Sequence, residues 1–293
     1  MKQHIPRDIF PHNRLPSSHV LEGLYHKGQK NIWDGKKVLK ELVEEHGKPC
    51  ISVDKLQSIK NIFSVIFWGE YAAWNISAEL ALKLESFEAK MAATSQAHDE
   101  ARHFYVMKDY LNLIGCEPNP LPHNVSKPLN FVLNTKSIPK KLLGMQLMVE
   151  PIAITIFRLV IKSEIDPVLS SLLKLYEKDE ARHIALGVKY LPTIIANMKP
   201  YEVLDLFVWQ LRLMLMEVDG LRELEGDFKS LGLNADDVYR MAEEKQLEAA
   251  RLMGEGIGMR HTPWKTMAAI ARLKKDLSFS KNPLAFGLSK FLG

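Results

Sequence analysis

Two identical runs, Asp99-Glu100-Ala101-Arg102-His103 and Asp179-Glu180-Ala181-Arg182-His183, stand 80 positions apart. Each sets a Glu three residues before a His. On a helix that spacing puts both side chains on one face, aimed at one point. A further Glu lies 30 positions before each motif, Glu70 before Glu100 and Glu150 before Glu180. Both sit in apolar surroundings, VIFWGEYAAW and QLMVEPIAIT, where an unpartnered carboxylate is costly to bury. Two Glu-x-x-His motifs plus one Glu from each of two other helices form a ligand set for two metal ions. Carboxylates and imidazoles suit iron and manganese, whereas zinc or copper would more often recruit cysteine or extra histidines. Four glutamates would balance two divalent cations and would repel one another without them.

The flanking letters fit the same chemistry. A metal-bound His usually gives its other ring N–H to a carboxylate. The sequence suggests a crossed arrangement, Asp179 holding His103 and Asp99 holding His183, with Arg102 and Arg182 neutralising the aspartates. Trp74, one turn beyond Glu70, and Tyr176, one turn before Glu180, are candidates for lining a substrate cavity, with core packing as the alternative. Ala73, Ala153 and Gly187 are small residues near ligand positions, where they leave room for oxygen or substrate.

Such residues need long helices, and the apolar periodicity predicts them. A first runs from Asp54 to about residue 83. A second covers about 86–114 and stops at Gly115. A third covers about 137–162. A fourth begins at the N-cap pair Asp166-Pro167 and runs to about 191, where Pro192 bends or ends it. Further helices are expected at about 201–224, 235–253 and 263–277, with GEGIG, at 254–258, ending the second of these as a turn. No segment reads as a strand. The fold class is all-α: a four-helix bundle with additional C-terminal helices. The division is an N-terminal arm over 1–53, with one helix near WDGKKVLKELVEEHG, a di-metal helical domain over 54–277 and a tail over 278–293.

Composition narrows the partners. The chain has 293 residues, a formal charge of +4 and two cysteines. That charge makes no case for nucleic acid or a membrane surface. Cys50 and Cys116 are not in CxxC spacing, so they hold no cluster, and a reduced, cytoplasmic setting fits. The polar, proline-broken start lacks the apolar core of a signal peptide. The most apolar run, around IPKKLLGMQLMVEPIAITIFRLVIK, carries Glu150 and Pro151 in its middle, which suits a buried helix better than a membrane span.

With its two DEARH copies and matched upstream glutamates, the chain resembles the ferritin-like di-iron carboxylate superfamily. Its style is that of the oxygen-activating branch of monooxygenases, desaturases, ribonucleotide reductase small subunits and ligand-binding oxidases. The motifs span about half the chain. The resemblance implies Glu70, Glu100, His103, Glu150, Glu180 and His183 as metal ligands, with Glu100 and Glu150 as bridges. It implies two Fe ions, or a Mn/Fe pair, activating O2 to hydroxylate, desaturate or N-oxygenate a small organic substrate. A separate electron donor, a reductase or ferredoxin, is expected, because the chain carries no cluster or flavin motif. A homodimer follows family habit. The alternatives are an iron-storage protein of ferritin type and a Mn/Fe ligand-binding oxidase. Subtype markers are missing. Met107 stands where the reductase subunits typically place a radical tyrosine. No tyrosine lies near Met145, where cross-linked oxidases use one. Tyr176 stands where N-oxygenases add a seventh ligand His.

Overall fold

The computed structural model describes residues 18–257, 262–280 and 283–290. They form α1 (Ser18–Lys30), α2 (Gly35–His46), α3 (Val53–Lys83), α4 (Phe87–Leu113), α5 (His123–Asn134), α6 (Ile138–Gly144) and a π-helical turn (Met145–Val149). Then come α7 (Glu150–Lys162), α8 (Pro167–Ile195), α9 (Pro200–Glu223), α10 (Glu225–Ser230), α11 (Ala235–Ile257), α12 (Thr262–Ser278) and α13 (Pro283–Ser289). No strand occurs among the described residues.

The helix ends follow local chemistry. The Ser86 hydroxyl accepts from Ala89 N–H at 3.3 Å to open α4. Asp166 accepts from Leu169 N–H at 2.7 Å to open α8, with Pro167 at the first helical position. Gly115 takes φ +74° just past α4, a conformation open to glycine at little cost. Helix α3 packs on α4, α7 packs on α8, and α4 meets α8 across the middle. Their apolar faces form two cores. One includes Ile62, Phe63, Val106 and Leu173, the other Ile76, Ala93, Leu147 and Leu191. Helix α9 lies against α5 and α12, and α11 covers α7 and α8.

The structure departs from the sequence reading in several places. The expected N-terminal arm contains two helices, α1 and α2, both packed on α4 and α8. Gly28 and Gly35 permit that approach: a Cβ on Gly28 would meet Ser95 Oγ at 2.0 Å, and one on Gly35 would meet Val106 Cγ2 at 2.2 Å. The third long helix is broken by the π-helical turn, and α5 precedes it where no helix was expected. Helix α8 continues past Pro192 to Ile195. Helix α11 passes through Gly254 to Ile257; Gly258, the end of GEGIG, lies outside the described residues. One helical run, Ile138–Lys162, is long and apolar enough to cross a membrane, but 67% of its most apolar window is buried inside the protein.

Candidate metal centre

Four helices deliver six side chains to one buried point. Glu70 comes from α3, Glu100 and His103 from α4, Glu150 from the first residue of α7, and Glu180 and His183 from α8. All six are buried, Glu100 and His103 completely. Their ligand atoms fall into two groups of four, each group within 4.8 Å: Glu70, Glu100, His103 and Glu180, then Glu100, Glu150, Glu180 and His183. His103 Nδ1 lies 3.4 Å from Glu70, 3.6 Å from Glu100 and 3.2 Å from Glu180. His183 Nδ1 lies 3.0 Å from both Glu100 and Glu180.

Glu100 and Glu180 are the two residues common to both groups. The resemblance implied Glu100 and Glu150 as the bridges; in the structure Glu180, rather than Glu150, shares both groups with Glu100. The reason is positional. Helices α4 and α8 face each other across the centre, so each motif glutamate reaches the His of its own helix and the group built on the other. Glu150 stands at the edge, directly after the π-helical turn. There its backbone N–H bonds Met145 O, five residues back. Pro151 has no N–H to offer an α-helical ladder, and its ring crowds the carbonyl four residues earlier. The turn thus widens where the ligand must be aimed, a common use of π-bulges. Gln96 Nε2 donates to Glu150 Oε1 at 2.7 Å and to Glu100 Oε1 at 3.3 Å, and Gln146 donates to Gln96 at 3.1 Å.

The far nitrogen of each imidazole meets the aspartate of the other motif. His103 Nε2 is 3.1 Å from Asp179 Oδ2, and His183 Nε2 is 3.3 Å from Asp99 Oδ2. Arg102 Nη2 donates to Asp99 at 2.6 Å and Asp179 at 2.8 Å. Arg182 Nη2 donates to Asp99 at 2.9 Å and Asp179 at 2.6 Å. The two DEARH runs therefore interlock as a ring of alternating charge behind the histidines. Trp33, just before α2, was not singled out in the sequence. Its Nε1–H donates to Asp179 Oδ2 at 2.9 Å, and the Arg102 guanidinium lies 4.6 Å from its ring centroid.

Proton affinities show what the cluster demands. Burial, with neighbouring carboxylate charge, pushes Glu70 and Glu150 well above the usual carboxylate range. Burial resists charge on Glu100 too, but His183 and His103 outweigh it and hold this carboxyl below its usual range. Burial likewise opposes a charged imidazole. Asp179 and the three glutamates overcome it at His103, and Glu100 and Glu180 overcome it at His183, so both rings are raised. The cluster thus demands positive charge, which two divalent cations would supply. Glu100 Oε2, His103 Nδ1 and Glu150 Oε2 are buried without a hydrogen-bond partner among the described residues. Orphaned atoms of ligand type, facing one centre, fit a metal pair.

A cavity of about 100 Å³ adjoins the cluster, with Glu70, Glu100, Glu150 and Glu180 at one side. Its walls are mainly apolar, and Ala73 and Ala153 are among them. Gly187 is not. It lets α8 approach the π-helical turn, where a Cβ would meet Gln146 Cβ at 2.8 Å. The two aromatic candidates are also placed elsewhere. Trp74 is 39% exposed beside Phe104, because Ala73 takes the inward position on that turn. Tyr176 stacks on His103 at 4.0 Å and donates its hydroxyl to His103 O at 2.6 Å, so it packs behind the ligand and does not line the cavity.

No protein-family model and no curated protein matches the sequence. Solved structures do match in shape. A Synechococcus protein described as having aldehyde deformylating oxidase activity is 15% identical with a TM-score of 0.62, covering 74% of this chain and 97% of its own. An R2-like ligand-binding oxidase from Sulfolobus acidocaldarius is 18% identical with a TM-score of 0.56, covering 87% of this chain and all of its own. A point mutant of an R2-like ligand-binding oxidase, with an aerobically reconstituted Mn/Fe cofactor, gives 16% and 0.52 over 95% of this chain and 94% of its own. The chain therefore has the ferritin-like helical fold. Within that fold it carries a buried carboxylate and histidine cluster of metal-ligating type.

Proposed function

We propose that the chain is an O2-dependent oxidoreductase with a pair of iron ions, or one manganese and one iron, as its cofactor. The observation that carries this reading is the two buried four-residue groups joined through Glu100 and Glu180. Glu70 and His103 would complete one metal position, and Glu150 and His183 the other. Nitrogen and carboxylate donors without sulfur favour iron and manganese over softer alternatives. The fold shared with an oxidase reconstituted with Mn/Fe supports the same choice.

When bound, the metal pair would supply the oxygen chemistry. The residues of the chain supply placement. Asp99 and Asp179 fix the ring orientation of His183 and His103, so that each Nδ1 faces the centre. Arg102 and Arg182 pair with those aspartates and hold them in register. The apolar cavity excludes bulk water and accepts a small organic molecule whose body is apolar. Electrons come from a separate reductase or ferredoxin. The unpaired cysteines, Cys50 and Cys116, agree with a cytoplasmic setting.

The test is metal content per chain after expression with iron and manganese both present, followed by anaerobic Fe(II) loading and exposure to oxygen. About two ions per chain, with oxygen uptake that depends on them, is expected. A chain that takes up no stoichiometric metal, even on reconstitution, overturns the reading. The ratio of manganese to iron decides between the two cofactors.

A further inference from the structure

Glu217, on α9, belongs to neither motif yet stands between two cavities. It lines the cavity that holds the metal-facing glutamates. It also lines a second cavity of about 10 Å³, bounded as well by Tyr239, Glu243 and Gln246 of α11. Glu217 is 7% exposed, Tyr239 8% and Glu243 7%. Gln246 Nε2 donates to Glu217 Oε2 and to Met148 O, both at 3.1 Å. Three atoms there have no partner among the described residues: Glu217 Oε1, the Tyr239 hydroxyl and Glu243 Oε1. Buried polar atoms are costly to leave unbonded. A cavity of this size has room for one water, and Glu217, Tyr239 and Glu243 all line it. The outer end reaches solvent, because Glu243 Oε2 accepts from Arg272 Nη2 at 2.8 Å and the Arg272 side chain is 56% exposed.

We infer that Glu217, one water, Tyr239 and Glu243 form a proton path from the surface to the cavity beside the metal cluster, with Glu217 as its last donor. The inference rests on the proposed oxygen reaction, whose reduced-oxygen products consume protons. Each transfer breaks one O–H bond and makes another. Glu217 gives its carboxyl proton to a reduced-oxygen species or water in the main cavity. The bridging water reprotonates Glu217, the Tyr239 hydroxyl reprotonates the water, and Glu243 takes up a proton from solvent and passes it to Tyr239. One proton enters per cycle and no electron moves along the path. Burial pushes the Glu217 carboxyl up to about 8, so it holds a proton at neutral pH and sits near the range where a donor works well. The charged groups facing this chain of atoms include Glu243 of α11 and Arg272, Lys275 and Asp276 of α12, with Lys275 5.4 Å from the Tyr239 ring centroid.

The experiment is infrared spectroscopy of the full chain, with and without iron, mixed rapidly into D2O. The C=O stretch of protonated Glu217 is identified by its loss in Glu217→Gln. It is expected to shift in Tyr239→Phe. Its exchange with deuterium is expected to slow by roughly tenfold or more in Tyr239→Phe and in Glu243→Gln. Exchange at the unmodified rate in both variants overturns the path, as does a Glu217 band absent at neutral pH. Because the readout needs neither metal nor substrate, its failure is separate from failure of the oxygen reading, which metal content and oxygen uptake report.

Discussion

Glu70 and Glu180 are both buried glutamates facing the same centre, yet their loss should have different consequences. Glu70 belongs to one group of four, Glu180 to both. Glu180→Ala should therefore lose both ions, while Glu70→Ala should retain about one per chain. Metal analysis after dialysis separates the two, and equal loss in both variants would sink the bridging role of Glu180. Asp179 acts through His103. Asp179→Asn keeps the shape but removes the charge that fixes the ring, and should weaken metal affinity by about 10–100-fold, read by competition with a chelator. The six ligand candidates and the crossed aspartates were legible because a helix fixes which face residues three apart share. Which glutamates both groups share was not, since it depends on which helices face each other across the centre. Trp33 was equally hidden: it reaches Asp179 from 146 positions away, and no local spacing announces such a contact.

At the scale of elements, the long helices of the bundle could be read from periodicity and caps, but the interruptions could not. The π-helical turn adds one residue to a turn without changing the apolar pattern around it. Helix α5 has Pro128 inside it and follows a proline-rich loop, so its sequence reads as a linker although Val125, Leu129 and Val132 are buried. Helices α1 and α2 are polar on average and owe their place to docking on α4 and α8, a tertiary effect. Gly187 shows how closely these elements fit. Alanine there gains helix propensity, worth up to about 1 kcal/mol. It also places a Cβ 2.8 Å from Gln146 Cβ, an atom next to the backbone that cannot swing away. Gly187→Ala should therefore lower stability by about 1–2 kcal/mol net. Urea unfolding measures it, and a variant as stable as the parent would show that the π-helical turn yields freely.

Over the whole molecule, stability should carry two signatures of this centre. Metals held by this cluster would join α3, α4, α7 and α8, and so would bind the folded chain and not the unfolded one. Free metal at about 100 times its dissociation constant should add about 2.7 kcal/mol, and a chelator should remove it. The second signature is a pH slope independent of the ligands. Glu217 ionises near the ordinary value of 4.5 when unfolded, but burial raises it to about 8 in the fold. Between those values the folded state binds the extra proton, so stability falls as pH rises, begins to do so above about 4.5, and stops falling past about 8. The full shift corresponds to a few kcal/mol as an order of magnitude. Glu217→Gln keeps the amide-sized group without the ionisation. It should match the parent near pH 4 and exceed it in stability near pH 8 by an amount that grows steadily above about pH 4.5. Parallel pH profiles of unfolding free energy for the two chains, both loaded with metal, would show instead that Glu217 meets solvent or a cation in the folded protein. The same comparison bears on the proton path, since only a carboxyl that keeps its proton at neutral pH has one to pass on.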